Sequence, residues 1–159
     1  MSDKEILSNQ RLQELVADHE MYIKLAGRKG SQLDFSDLVL KGIIFDGMDL
    51  SGVHFVGSCI EQSSFCGVNL SDCVFHDAVI KNCNFQNSLI AKAEFYEAAV
   101  LGCTFDVAHL NQVEFIDCMI KNCSFRKANI IYSVFVDNEM NNNDFSGANF
   151  DGVDINSLR

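Results

Sequence analysis

Across residues 32–156 every fifth residue is apolar, from Phe35 to Ile155, without a slip in register. The series opens Phe35, Leu40, Phe45, Leu50, Phe55, Ile60 and closes Phe135, Met140, Phe145, Phe150, Ile155. A period of five suits neither regular element. Five residues of helix turn through about 500°, so successive members share no face. In a straight strand, odd spacings alternate between faces. The chain must therefore bend once within each unit.

A second column lies two residues before each centre. It holds small residues such as Val53, Ser58, Ser63, Cys73, Ala78, Cys83, Ala93 and Cys103. Residues two apart share one side of an extended segment, so both columns point inward. The residue between them points outward and is often polar, as at Asp49, Asn69, Glu94, Glu114 and Asn129. Gly, Asp, Asn, Ser and Lys fill the last two places of most quintets, which suits a turn. Each quintet reads as one short extended side and one corner.

Quintets such as Val68-Asn69-Leu70-Ser71-Asp72 and Ala148-Asn149-Phe150-Asp151-Gly152 resemble the A-(D/N)-L-x-x unit of the pentapeptide-repeat family. That resemblance implies an all-β solenoid: a right-handed quadrilateral parallel β-helix, with about twenty residues per coil. Phe and Cys are used here more freely than is common in that family. Four sides are also supported independently. Phe takes every alternate centre from Phe35 to Phe145, so four quintets per coil stack Phe on two opposite sides and Leu or Ile on the others. A three-sided coil would scramble them. About six coils, spaced about 4.8 Å like paired strands, give a rod about 30 Å long.

The expected division is residues 1–31 as an N-terminal α-helix and connector capping the solenoid, and residues 32–159 as the β-helix. Ser2 and Glu5 read as a capping box. Leu12, Leu15, Val16, His19, Tyr22, Ile23 and Ala26 form one apolar face. Gly27 and Gly30 end the helix. Its expected role is to hide the open strand edges of the first coil, with His19 packed rather than serving as a ligand. After the repeats only Asn156 to Arg159 remain, too few for a capping helix. The last coil is expected to be open, blunted by Asn141, Asn142 and Asn143, or covered by another subunit.

Seven cysteines and no proline accompany the repeats. Absent proline fits a ladder that uses every backbone donor. Cys73, Cys83, Cys103, Cys118 and Cys123 fall on the small inward column and read as reduced core thiols, whereas Cys59 and Cys66 fall outside it. This usage fits a reducing cytoplasm. The first residues show no signal peptide, and no run is long enough for a membrane span.

The net charge of −10 is unevenly placed. The side carrying Phe35, Phe55, Phe75, Phe95, Phe115 and Phe135 holds nine acidic residues and no Lys or Arg. Among them are Asp77, Glu94, Glu97, Glu114, Asp117 and Asp137, an acidic wall that should repel nucleic acid. The same side presents an outward apolar column, Val56, His76, Tyr96, Ile116 and Val136. Round the corner runs a second, Val39, Cys59, Val79, Ala99 and Met119. Two adjoining columns make a strip that needs cover, from the N-terminal helix, a twin subunit or another protein.

No arrangement of Ser, His, Asp or Cys converges on a cleft, because inward places are apolar and outward ones stand on flat walls. His54, His76 and His109 fall on different columns, and no Gly-rich phosphate loop occurs. The sequence thus predicts no catalytic residue, no metal and no cofactor. It predicts a non-enzymatic scaffold for protein–protein interaction, with a protein partner or itself as ligand. Self-association would run through the strip or the C-terminal coil. A rival comes from the resemblance: some pentapeptide-repeat proteins look like duplex DNA in shape and charge, bind type II topoisomerases and confer quinolone resistance. This chain departs from those members in lacking a projecting loop and a C-terminal helix. A self-assembling structural rod is the third expectation.

Overall fold

The computed structural model describes Leu7 and residues 9–154. The capping box at Ser2 and Glu5, the last centre Ile155, and Asn156 to Arg159 lie outside the described residues. One helix, α1 (Asn9–Lys24), precedes a parallel β-solenoid. Each quintet is a short extended segment whose centre and whose residue two places earlier point inward, as the five-residue period requires.

Four walls follow one another at five-residue steps. The first carries Phe35 to Phe135. Its rungs pair through Asp34↔His54, His54↔Val74 and Val74↔Glu94. They continue through β4 (Glu94–Tyr96), β6 (Glu114–Ile116) and β8 (Val134–Val136). The second wall stacks β1 (Val39–Lys41), β2 (Cys59–Glu61), β3 (Val79–Lys81), β5 (Ala99–Leu101), β7 (Met119–Lys121) and β9 (Glu139–Asn141) into a 6-stranded sheet. Six strands on one wall are separated by five full turns of chain. The third and fourth walls pair through single bridges such as Ile44↔Ser64 and Asp49↔Asn69. All pairing is parallel, and every partner lies twenty residues away.

Phe stacks on opposite walls, as the alternation predicts. On the first wall the Phe55–Phe75 and Phe75–Phe95 ring centroids lie 4.7 and 4.5 Å apart. On the third, Phe65–Phe85 and Phe85–Phe105 are each 4.7 Å apart. These distances equal the strand spacing, so side chains and backbone repeat by the same translation. Burying each ring contributes about 1.5–3 kcal/mol.

The small inward column does more than save space. Each coil turns its chain at a corner where the centre's carbonyl faces inward, and this column supplies donors to such carbonyls. Ser58 Oγ donates to Phe55 O at 2.7 Å and Ser88 Oγ to Phe85 O at 2.6 Å. Cys73 Sγ donates to Leu50 O at 3.1 Å and Cys118 Sγ to Phe95 O at 2.8 Å. Asn138 and Asn143 do the same in the last coil, each Nδ2 donating at 2.8 Å to a carbonyl of the coil below. A buried polar atom is tolerated where it is bonded. All seven cysteines are free thiols, with Cys59 and Cys66 the two that are not buried. Burial pushes the Cys118 thiol up to about 11, which keeps it protonated at neutral pH.

At the corners the last residue of each quintet is left-handed. Glycine fills that place often, but Asp77 (φ 56), Asn82 (φ 52), Val107 (φ 60) and Tyr132 (φ 54) occupy it too. Asp and Asn enter this region readily, whereas a β-branched residue there is strained.

The helix lies across the N-terminal end of the rod. Leu12, Val16 and His19 are buried, and Leu15 packs partly against the core with Leu38 and Met48 of the first coil. The apolar face is shorter than expected: α1 stops at Lys24, and Ala26 is exposed at φ 49. Gly27 N bonds back to Tyr22 O at 2.9 Å, which closes the helix with a left-handed turn. Gly30 then runs so close to α1 that a Cβ would meet Asp18 O at 2.2 Å and Tyr22 N at 2.7 Å. Only glycine fits there. At the other end Met140, Phe145 and Phe150 are partly exposed, while their counterparts one coil earlier are fully buried.

Candidate interaction surface

The corner between the first and second walls gathers the residues singled out in the sequence. Register pairing aligns Tyr96 with Ile116 and Ile116 with Val136 on the first wall. It aligns Val39, Cys59, Val79, Ala99 and Met119 on the second. Val56, Cys59, His76, Val79, Tyr96, Ala99 and Ile116 are half-buried, and Met119 and Val136 are exposed. The described part of α1 covers the rod's end, not this strip.

The apolar column is also aromatic and polar in its middle. His76 and Tyr96 stack with ring centroids 4.4 Å apart and planes 8° from parallel. His76 Nε2 lies 2.9 Å from Glu94 Oε2, and the Tyr96 hydroxyl donates to Glu114 Oε2. That bond to Glu114 pushes the Tyr96 phenol up to about 12. Glu94 and Glu114 are therefore bonded acids, each reaching back to the ring one coil below. The sequence does not show this, because eighteen residues separate each pair.

Asp77, Glu97, Asp117 and Asp137 occupy one corner in four successive coils, all exposed and all left-handed. Their backbone amides are spent within the ladder: Glu97 N donates to Ile116 O and Asp117 N to Val136 O, both at 3.0 Å. Their side chains project from an edge that runs between the two apolar columns. Like charges one strand spacing apart repel one another, and a cationic group laid along the edge relieves that. Val134, 40% exposed, stands beside Val136 on β8 in the outward column that the sequence marks as polar at Glu94 and Glu114.

Among the described residues no three His, Cys, Asp or Glu side chains are grouped to hold a metal ion. The surface depressions lie mainly at the rod's two ends, lined by Leu12, Ile44 and Met48 or by Met140 and Phe145. No described helix is long and apolar enough to cross a membrane.

Comparison with protein families matches the pentapeptide repeats in 8 copies, over residues 34–72, 69–106 and 120–156. Comparison with proteins of curated function finds no match. Among solved structures, two trypsin-treated forms of QnrB1, a plasmid-mediated fluoroquinolone resistance protein, superpose with TM-scores of 0.59 and 0.58. Each is 18% identical and covers 77% of this chain, and the match spans 67% and 68% of the respective QnrB1 chains. A pentapeptide repeat protein of the Arabidopsis thaliana thylakoid lumen is 23% identical, with a TM-score of 0.47 over 67% of this chain and 64% of its own. The two QnrB1 likenesses show the fold alone.

Proposed function

The chain belongs to the pentapeptide repeat family, and on that premise we propose that it is a rigid, non-enzymatic scaffold binding a protein along the first-to-second-wall corner. The observation that carries this reading is the pair of in-register apolar columns left open on either side of the acid edge. Flat parallel walls hold their outward side chains at fixed spacing, so binding costs little ordering entropy. Residues 32–159 act as the binding rod and residues 1–31 as its N-terminal cap. Seven free thiols favour a reducing compartment, and we place the protein in the cytoplasm. The acidic balance argues against direct binding to nucleic acid.

The test is a double variant, Tyr96→Asp with Ile116→Asp, whose circular dichroism matches the wild type. Loss of partner capture or of self-association supports the strip. Unchanged capture and unchanged mass in solution defeat it.

The acid edge favours a second reading, a DNA-like surface that occupies the duplex site of a type II topoisomerase. Asp77, Glu97, Asp117 and Asp137 supply its repeating negative charge. Inhibition of gyrase supercoiling, or protection of gyrase against a quinolone, supports it; full activity at a large excess of this protein removes it. If instead mass grows with concentration through the strip or the C-terminal coil, the rod is its own partner.

A further inference from the structure

His19 sits on α1 where the helix meets the first coil, and none of it is exposed. Its Nδ1 accepts the Leu33 backbone N–H at 3.1 Å. An acceptor Nδ1 requires the neutral ring with its proton on Nε2. That Nε2 is buried beside the Ser51 backbone and makes no full hydrogen bond to it or to any other described residue. The ring stacks on Tyr22, with centroids 6.3 Å apart. The first coil contributes Asp49 and the backbone of Ser51 to its surroundings, and α1 itself contributes Glu20.

We propose that His19 is a proton-operated latch: protonation frees α1 from the first coil while the repeats stay folded. Protonation turns Nδ1 from acceptor into donor, so it opposes the Leu33 N–H it now holds. It also places a full charge where water is excluded. Burial is the largest influence on the ring and lowers its proton affinity below the ordinary value; Ser51, Asp49 and Glu20 oppose that without reversing it. Released, the ring recovers its free affinity and is hydrated. The other described histidines are not fully buried: His54 and His109 are exposed and His76 half-buried. Mild acid therefore acts on the helix junction and leaves the ladder intact. Release uncovers the first-coil surface around Leu33, Leu38 and Met48.

The sign follows from linkage. The docked ring binds protons more weakly than the released one, so docking is strongest above the free value of about 6.5 and weakens as pH falls below it. The loss is up to about tenfold per pH unit, until the docked ring itself protonates.

Amide hydrogen exchange at pH 7.5 and 5.5, corrected for intrinsic rates, tests this on the full chain. Protection of α1 amides should fall by up to about tenfold, with amides of the β-ladder unchanged. His19→Asn places Oδ1 where Nδ1 accepts and cannot titrate, so its α1 protection should not depend on pH. If that variant loses the helix at every pH, the wild-type ring titration followed by NMR decides. The proposal then needs a midpoint below 6.5 and α1 resonances moving with it. PH-independent α1 protection in the wild type, the same acid loss in His19→Asn, or equal loss in the ladder would each overturn it.

Discussion

His76 lies flat on Tyr96, twenty residues later in the chain, with ring centroids 4.4 Å apart. Each ring also bonds the glutamate of the next coil, His76 to Glu94 and Tyr96 to Glu114. The solenoid's translation makes this possible: it brings residues eighteen and twenty apart into contact on one wall. The strip's centre is therefore a stacked, hydrogen-bonded pair rather than two independent surface residues.

The Tyr96 phenol is held protonated by Glu114. One tyrosine should ionise near 12 in a spectrophotometric titration, and Glu114→Gln should bring it back toward the ordinary value of about 10. Because the folded value is raised, this bond's contribution is complete below pH 10 and fades as pH rises through 12. Three tyrosines all ionising at the ordinary value in the wild type would refute the bond.

Asp106 is buried and accepts hydrogen bonds from Arg126 N at 3.0 Å, Arg126 Nε at 2.9 Å, Arg126 Nη2 at 2.6 Å and the Ser124 hydroxyl. Burial alone would raise its proton affinity, but the bonds from Arg126 and Ser124 outweigh it and hold the carboxyl below its ordinary range. Asp106→Ala should cost about 1.5–3 kcal/mol in urea melts at pH 7, because it removes the charge-assisted bonds that a buried carboxylate accepts from Arg126 and Ser124. The difference from wild type should shrink as pH falls below about 4 through the lowered folded value. A constant difference from pH 7 to pH 2 would contradict the charge-based account.

Val107 holds φ 60 while exposed, so it carries backbone strain with little burial in return. Relief of about 1–2 kcal/mol in the left-handed region exceeds the entropic cost of glycine, about 0.5–1 kcal/mol. Val107→Gly should stabilise the protein by up to about 1 kcal/mol. A clear drop in the urea midpoint would show that this side chain is held by contacts that offset its strain.

Phe85 lies fully buried between Phe65 and Phe105, 4.7 Å from each. Phe85→Ala should cost about 3–5 kcal/mol, since the ring leaves a cavity that neither neighbour can fill without leaving its own wall. Hydrogen exchange should rise first in the coils on either side, because each coil touches only its neighbours. A loss under about 1 kcal/mol would mean that the stack collapses onto the gap.

Much of this architecture was legible in the chain. An unbroken five-residue period, with Phe alternating against Leu and Ile, determines inward and outward residues, the number of walls and the coil spacing. Periodic burial leaves one arrangement that satisfies every position. The same counting listed both apolar columns and put six acids, Asp77, Glu94, Glu97, Glu114, Asp117 and Asp137, on one wall; the folded chain sets Asp77, Glu97, Asp117 and Asp137 at its corner. Counting did not reveal that Glu94 and Glu114 are bonded, nor that Val134 extends the exposed strip, because outward residues obey no packing rule.

The helix marks the boundary. Amphipathic spacing identified Leu12, Val16 and His19 as a face that must be covered, but a lone apolar stripe fits any apolar surface of the right width. Proximity in the chain pointed to the first coil, and the folded chain decided how the face docks there. There Gly30 passes against the α1 backbone and His19 accepts the Leu33 N–H. Repeats write their geometry into the sequence many times over; a single junction is written once, in contacts between residues that no period connects.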